Sequence, residues 1–303
     1  MNDVQRQLLR WYARHGRSAL PWRTLRSPYR TLVSEFMLAQ TQVERVVPKF
    51  ETFVERFPDF TRLARASTAT IVREWKGLGY NARAVRLQRL AVAVVERHAG
   101  FLPSESKQLR LLPGVGPYTA AAIRAFAFNL DDAPIDTNVR RIVQRVKFGV
   151  EYPHSATVRE LDARARELVP RGRAHDWNSA LMDLGATLCT ARAPKCLLCP
   201  LRERCAAAPI DAAHLERLRQ AAVTRRSPQS ALPYERTTRY ARGRIVDRLR
   251  ELPPGRGISL LDLHRDVAPA ISGRSFEEVR DFVAGLERDG IVMRDGNHVA
   301  LRE

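Results

Sequence analysis

The sequence predicts a mainly α-helical protein that closes with a small winged-helix-like domain, and three observations predict it. Apolar residues recur at helical spacing from residue 1 to about 205, with no convincing strand among them. The breaks between these stretches carry Gly or Pro, as at Gly77-Leu78-Gly79 and Pro113-Gly114-Val115-Gly116-Pro117. Past residue 235, three further helical patterns precede residues 291–301, in which Asp295-Gly296 marks a tight hairpin.

Taken in order, the first 16 residues read as an amphipathic helix and not as a signal peptide. Helices are expected over residues 30–40, 43–57, 82–97, 119–128, 138–146 and 177–188. Residues 208–235 combine a short helical pattern with a polar, Pro-containing tail and read as a linker. The last helices are expected over 240–251, 260–266 and 275–289. The domain organisation that follows is a core over residues 1–207, a linker over 208–235 and the winged-helix-like domain over 236–303.

The chain has 303 residues, enough for two or three domains each with its own core. No apolar run approaches the roughly 20 residues of a membrane span, so a soluble cytoplasmic protein of bacterial type is expected. The formal net charge of +18 points to a polyanion such as nucleic acid, although free use of Arg by a GC-rich genome gives the same total. Its distribution is informative. Residues 236–303 hold 13 Arg against 11 Asp and Glu, a net of +2, which leaves +16 on residues 1–235.

All four cysteines fall within 17 residues, as Cys189, Cys196, Cys199 and Cys205. Four thiolates so close in sequence can wrap one metal centre. Zinc is the competing reading, but four-thiolate zinc sites usually use two C-x2-C pairs, and one such pair exists here.

Two carboxylates stand out. Asp136 lies in Ile135-Asp136-Thr137-Asn138-Val139, about twenty residues after the Gly-rich turn. That turn, with Gly114 and Gly116, could bring backbone amides to a phosphate or could simply join two helices. Glu35 lies in the apolar stretch Thr31-Leu32-Val33-Ser34-Glu35-Phe36-Met37-Leu38. A charge there costs several kcal/mol if buried unpaired, so an exposed face, an ion pair or a functional acid would each account for it.

Leu20-Pro21-Trp22-Arg23, Ser34-Glu35-Phe36-Met37-Leu38-Ala39-Gln40-Thr41-Gln42-Val43, Gly77-Leu78-Gly79-Tyr80, the hairpin Leu112–Thr119, Asp136-Thr137-Asn138 and Met182-Asp183-Leu184-Gly185-Ala186 occur in that order. With the cysteine loop, this pattern over residues 5–207 resembles the A/G-specific adenine DNA glycosylases of the helix-hairpin-helix, iron–sulfur superfamily. The resemblance implies a helix-hairpin-helix glycosylase fold, in which a six-helix barrel and a cluster domain flank a DNA-binding cleft. It implies a 4Fe–4S cluster on the four cysteines and double-stranded DNA with a mismatched or oxidised pair as partner. Under it, Glu35 protonates the leaving base, Asp136 stabilises an oxocarbenium-like sugar, and Asn138 orients Asp136. Gln40 and Tyr80 match positions that wedge into the base stack or contact the opposite base. Arg23, Thr41, Gly114, Gly116 and Ser179 match positions at the DNA or the base pocket. Relatives that cut the strand carry Lys where this chain has Tyr118, and tyrosine cannot form a Schiff base, so a monofunctional enzyme is expected.

The sequence departs from the family pattern at Ala39, Asn81 and Ser179, and the winged-helix-like segment is expected to replace the family's usual C-terminal reader of 8-oxoguanine. Asn81 is the residue seen in related glycosylases acting on T·G mismatches. Adenine opposite guanine or 8-oxoguanine is the expected substrate; thymine or uracil opposite guanine, and a non-catalytic iron–sulfur DNA-binding protein, are the alternatives.

Overall fold

The computed structural model describes residues 1–152, 156–224 and 233–303, and these are mainly helical. They divide into two compact units. The first holds residues 1–31, 104–111 and 115–229, and the second residues 32–103, 112–114 and 230–303. Among the described residues no helix is long and apolar enough to cross a membrane.

The first unit is built on the helices Asp3–His15, Thr137–Lys147, Val158–Glu167 and Ala174–Thr187. Leu8, Val139, Ile142, Trp177, Leu181 and Leu184 form the centre of its core. The N-terminal helix starts at a capping box in which Asn2 and Gln5 exchange side-chain and backbone hydrogen bonds. The helix expected over 119–128 begins two residues earlier, at Pro117, whose missing N–H and fixed φ suit a first helical position. Its second half, Ile123–Ala127, widens into a π-helical turn. Within the expected linker, Ala212–Thr224 is a helix, while the polar tail at residues 225–232 lies outside the described residues.

One buried carboxylate pins the N-terminal strap of this unit, residues 16–24 after the first helix. Asp183, 1% exposed, accepts from the Arg17 backbone N–H and Nε at 2.8 Å each, and from Arg23 Nη1 at 2.8 Å and Nη2 at 3.2 Å. Burial alone would raise its pKa, but the Arg23 hydrogen bonds and the charges of Arg23 and Arg17 hold it below the usual carboxylate range.

The second unit packs the helices Val43–Arg56, Phe60–Arg65, Thr68–Glu74 and Ala82–His98 around Phe50, Phe53, Trp75, Leu87 and Leu90. Phe60–Arg65 and Thr68–Glu74 are too short for apolar periodicity to reveal; Asp59 and Ser67 cap their N-termini. The same unit takes in the C-terminal helices Thr238–Arg250, Leu260–Val267 and Phe276–Arg288. Strands Val292–Asp295 and His298–Leu301 form the expected hairpin, with Val292 opposite Leu301 and Asp295 opposite His298. A two-residue strand, Ile258–Ser259, adds to the other edge of His298–Leu301 and gives a three-stranded antiparallel sheet. Hydrogen bonds tie this segment to the rest of the unit. The Ala69 N–H donates to Arg302 O at 2.6 Å. Arg250 donates from Nε and Nη2 to Val72 O at 3.0 and 2.9 Å and to Asn81 Oδ1 at 2.8 Å.

Arg83 sits on the buried face of Ala82–His98 and is 8% exposed. Its Nη1 donates to the carbonyls of Phe36, Met37 and Ala39 at 2.8, 2.9 and 2.5 Å. Its Nη2 donates to Thr41 Oγ1 at 3.0 Å and to the carbonyls of Leu78 and Gly79 at 2.9 and 3.0 Å. The guanidinium thus satisfies carbonyls left over at the end of the helix Pro28–Leu38 and ties that end to the Gly77–Tyr80 turn. Burial lowers its pKa to about 10, with the nearby Arg239 acting in the same direction and Tyr80 against it.

Asp183→Ala leaves two arginines without their carboxylate and is expected to destabilise the protein by about 3 kcal/mol in urea unfolding. Because the native pKa of Asp183 is depressed, its contribution is complete above the unfolded-state value of about 4 and is lost as pH falls through the lower native value. Asp183→Asn is therefore expected to flatten the acid limb of stability against pH, and an unchanged limb would contradict the assignment. Arg83→Met leaves several buried carbonyls without donors and is expected to cost at least about 2 kcal/mol. Hydrogen exchange should then speed up selectively at residues 39–41 and 78–80.

Candidate active site

In the second unit, Glu35 lies in the last turns of Pro28–Leu38 and is half-buried. Two residues past that helix, Gln40 is exposed and takes a left-handed backbone with φ 63°. Thr41 turns inward, donating from Oγ1 to Leu78 O at 3.2 Å while accepting from Arg83. Its hydroxyl is thus engaged in joining the two loops. Tyr80 also has a left-handed backbone, φ 47°, behind the glycines Gly77 and Gly79 at φ 92° and 68°. Both residues that the sequence marks as wedges therefore hold a conformation costly for a side-chain-bearing residue. Arg83 holds the carbonyl just before each of them, at Ala39 and at Gly79. Gly114, at φ 79°, completes this group: a Cβ there would meet Phe36 Cζ at 3.3 Å, so the hairpin turn rests on the side chain next to Glu35.

In the first unit, Asp136 is the N-cap of Thr137–Lys147. Its Oδ1 accepts from the Val139 N–H at 2.7 Å and its Oδ2 from Asn138 Nδ2 at 2.8 Å. The carboxylate is held at a helix N-terminus, where the dipole favours an anion. Asn138 Oδ1 in turn accepts from Arg141 Nη2 at 2.8 Å. Arg141 also donates to Gly185 O at 3.0 Å and, from Nε, to Cys189 O at 2.9 Å. Gly185 is required for this approach, because a Cβ there would lie 2.8 Å from Asn138 Cβ.

Gly116 is the N-cap before Pro117 and has an ordinary φ of −88°; a Cβ there would meet nothing within 4 Å. Neither backbone strain nor the protein's own packing demands this glycine. Tyr118 is 38% exposed. Ser179 is 1% exposed within Ala174–Thr187, and its Oγ has no hydrogen-bond partner. Arg23 is committed to Asp183, with its side chain only 9% exposed.

The four cysteines carry free thiols and line one cavity with Arg145, Leu188 and Pro194. Among the described residues no three Cys, His, Asp or Glu side chains converge closely enough to mark a site for a single metal ion. Burial pushes the Cys199 thiol up to about 11, and the neighbouring cysteines add to the shift; burial raises Cys205 as well. Arg145, fully buried, braces the loop that carries them. It pairs with Glu151 at 2.6 and 2.8 Å and donates to Thr190 O at 2.7 Å and Cys189 Sγ at 3.5 Å. Arg83, Arg141 and Arg145 are the residues that motif reading passes over. Arg83 and Arg145 could have been noticed as cations on otherwise apolar helix faces.

A family model for the HhH-GPD superfamily of base excision DNA repair proteins matches residues 33–171. The adenine DNA glycosylase of Mycolicibacterium smegmatis is 41% identical over 249 residues, which cover 81% of this chain and 80% of that protein. The thymine/uracil-DNA glycosylase of Pyrobaculum aerophilum is 37% identical over 201 residues, 64% of this chain and 86% of that protein. Among solved structures, a thermostable thymine-DNA glycosylase superposes with a TM-score of 0.62 at 32% identity, covering 67% of this chain and 93% of its own. The chain belongs to the adenine DNA glycosylase family of the HhH-GPD superfamily of base excision DNA repair proteins, and is a DNA glycosylase.

Proposed function

We propose that this protein hydrolyses the N-glycosidic bond of adenine mispaired with guanine or 8-oxoguanine in double-stranded DNA, without cutting the strand. The arrangement of Asp136 carries the reading. Both of its oxygens accept hydrogen bonds at a helix N-terminus, and Arg141 fixes the Asn138 that supplies one of them. An anion oriented in advance suits a transition state in which positive charge develops on the sugar.

In this scheme the adenine leaves the stack at a cost of a few kcal/mol, Gln40 enters the space it vacates, and Tyr80 rests against the base opposite. Their preset backbones lower the ordering cost of that step. Glu35 delivers a proton to the departing base as the bond to the sugar breaks. Asp136 stabilises the oxocarbenium-like sugar until water adds at its anomeric carbon and gives up a proton to the Glu35 carboxylate left by the first step. The glycine turn at Gly114 and Gly116 brings backbone amides to a DNA phosphate, and the open space beside Gly116 suits that approach. Ser179 faces the base pocket; its unpartnered buried hydroxyl supports this. Tyr118 offers no amine, so no covalent enzyme–DNA adduct forms.

Cys189, Cys196, Cys199 and Cys205 fit a 4Fe–4S cluster: they line one cavity, are partly buried, and form no disulfide. Bound there, the cluster would supply a covalent brace for the loop that Arg141 and Arg145 join to the Asp136 helix. The protein acts as a monomer on DNA in the cytoplasm of a bacterial-type cell.

Thymine or uracil opposite guanine is the second reading, favoured by Asn81 and by the Pyrobaculum relative. Against it, the Asn81 side-chain oxygen accepts from Arg250, which gives that residue a role within the fold.

Single-turnover cleavage of duplexes bearing A·G, A·8-oxoG, T·G and U·G pairs decides between the two, with adenine release expected only from the first pair of duplexes. Asp136→Asn and Glu35→Gln are each expected to abolish base release while mismatch-DNA affinity stays within about tenfold, because both act mainly in the transition state. Borohydride should trap no covalent adduct. Protein purified without oxygen should contain about four iron and four sulfide per chain; stoichiometric zinc in place of iron would refute the cluster.

A further inference from the structure

Beside the Tyr80 turn lies an exposed cation that the scheme above does not use. Arg239, near the start of Thr238–Arg250, places its guanidinium carbon 3.6 Å from the Tyr80 ring centroid, and its Nη1 donates to the Tyr80 hydroxyl. Tyr234 flanks it at 5.5 Å and packs edge-on against Tyr240. Seven other arginines of the C-terminal segment pair with carboxylates. Among the described residues Arg239 pairs with none, so its position is set by the aromatic ring.

A guanidinium stacked on a ring is shielded on one face and keeps its in-plane N–H groups available. One of its five donors is taken by the Tyr80 hydroxyl. The rest suit the oxygen-bearing edge of a guanine, the commonest base contact of arginine. We propose that Arg239 is a specificity-determining residue, which hydrogen-bonds O6 of the guanine or 8-oxoguanine opposite the excised base. The inference rests on the proposed placement of Tyr80 against that base. It assigns the reading of the opposite strand to the C-terminal segment, whose near-neutral charge of +2 is unsuited to general phosphate binding.

The test uses the full-length protein on three duplexes: adenine opposite guanine, opposite 8-oxoguanine, and opposite a tetrahydrofuran residue that carries no base. Arg239→Ala is expected to slow single-turnover excision at least roughly fivefold opposite either purine, the loss typical of a specific base contact. Opposite tetrahydrofuran, where the contact is already missing, the rate should stay within about twofold of wild type. Arg239→Lys, which keeps the charge without the planar fork, should behave like the alanine variant. Equal loss on all three duplexes, with a salt dependence shallower by about one unit of slope, would make Arg239 a phosphate contact and overturn the proposal. No loss on any duplex, or full recovery with lysine, would overturn it as well. Should wild-type protein release no adenine, the adenine reading fails separately. The same comparison on thymine or uracil opposite guanine and opposite tetrahydrofuran then tests Arg239.

Discussion

The geometry of the second unit depends on one buried guanidinium. Arg83 has no carboxylate partner among the described residues; carbonyls and one hydroxyl surround it instead. Removing an arginine from water is costly unless its donors are satisfied. Here Nη1 is satisfied by the end of a helix, whose partial negative charge supplies compensation, and Nη2 by the Thr41 hydroxyl and the turn carbonyls of Leu78 and Gly79, while Nε is buried without a hydrogen-bond partner. The result is a rigid junction from which Gln40 and Tyr80 project with backbone conformations that an isolated loop would abandon.

The first unit solves a comparable problem with two arginines, Arg141 donating to carbonyl oxygens as Arg83 does and Arg145 pairing with Glu151. Arg141 and Arg145, one helical turn apart, both reach the cysteine loop, and Arg141 also reaches back through Asn138 to Asp136. The loop that gathers the thiols and the Asp136 carboxylate are therefore both tied to one helix, Thr137–Lys147. Asp183 does the same for the N-terminal strap, binding Arg17 and Arg23 to the helix Ala174–Thr187.

The C-terminal segment gains its place through Arg250 and the chain end at Arg302, which hydrogen-bond the backbone of Thr68–Glu74. This attachment brings Arg239 to Tyr80, and it puts a residue from the end of the chain on a turn some 160 positions earlier. A near-neutral segment thus places one arginine, Arg239, on the Tyr80 ring.

The sequence by itself determined the helices with long apolar stripes, the hairpin at Asp295-Gly296, the family, and the positions of Glu35, Asp136 and the four cysteines. These are local properties: periodicity, turn chemistry and motif spacing are all contained within short stretches of chain. Tertiary structure alone decided that Arg23 serves Asp183, that Thr41 faces Arg83, and that residues 230–303 join residues 32–103 in one compact unit. It also decided that the glycine at 185 exists to admit Asn138. The reason is physical. A buried arginine is selected by acceptors that lie far away in sequence and are mostly backbone carbonyls, which every residue carries, so no pattern of residue types records which of them it will meet.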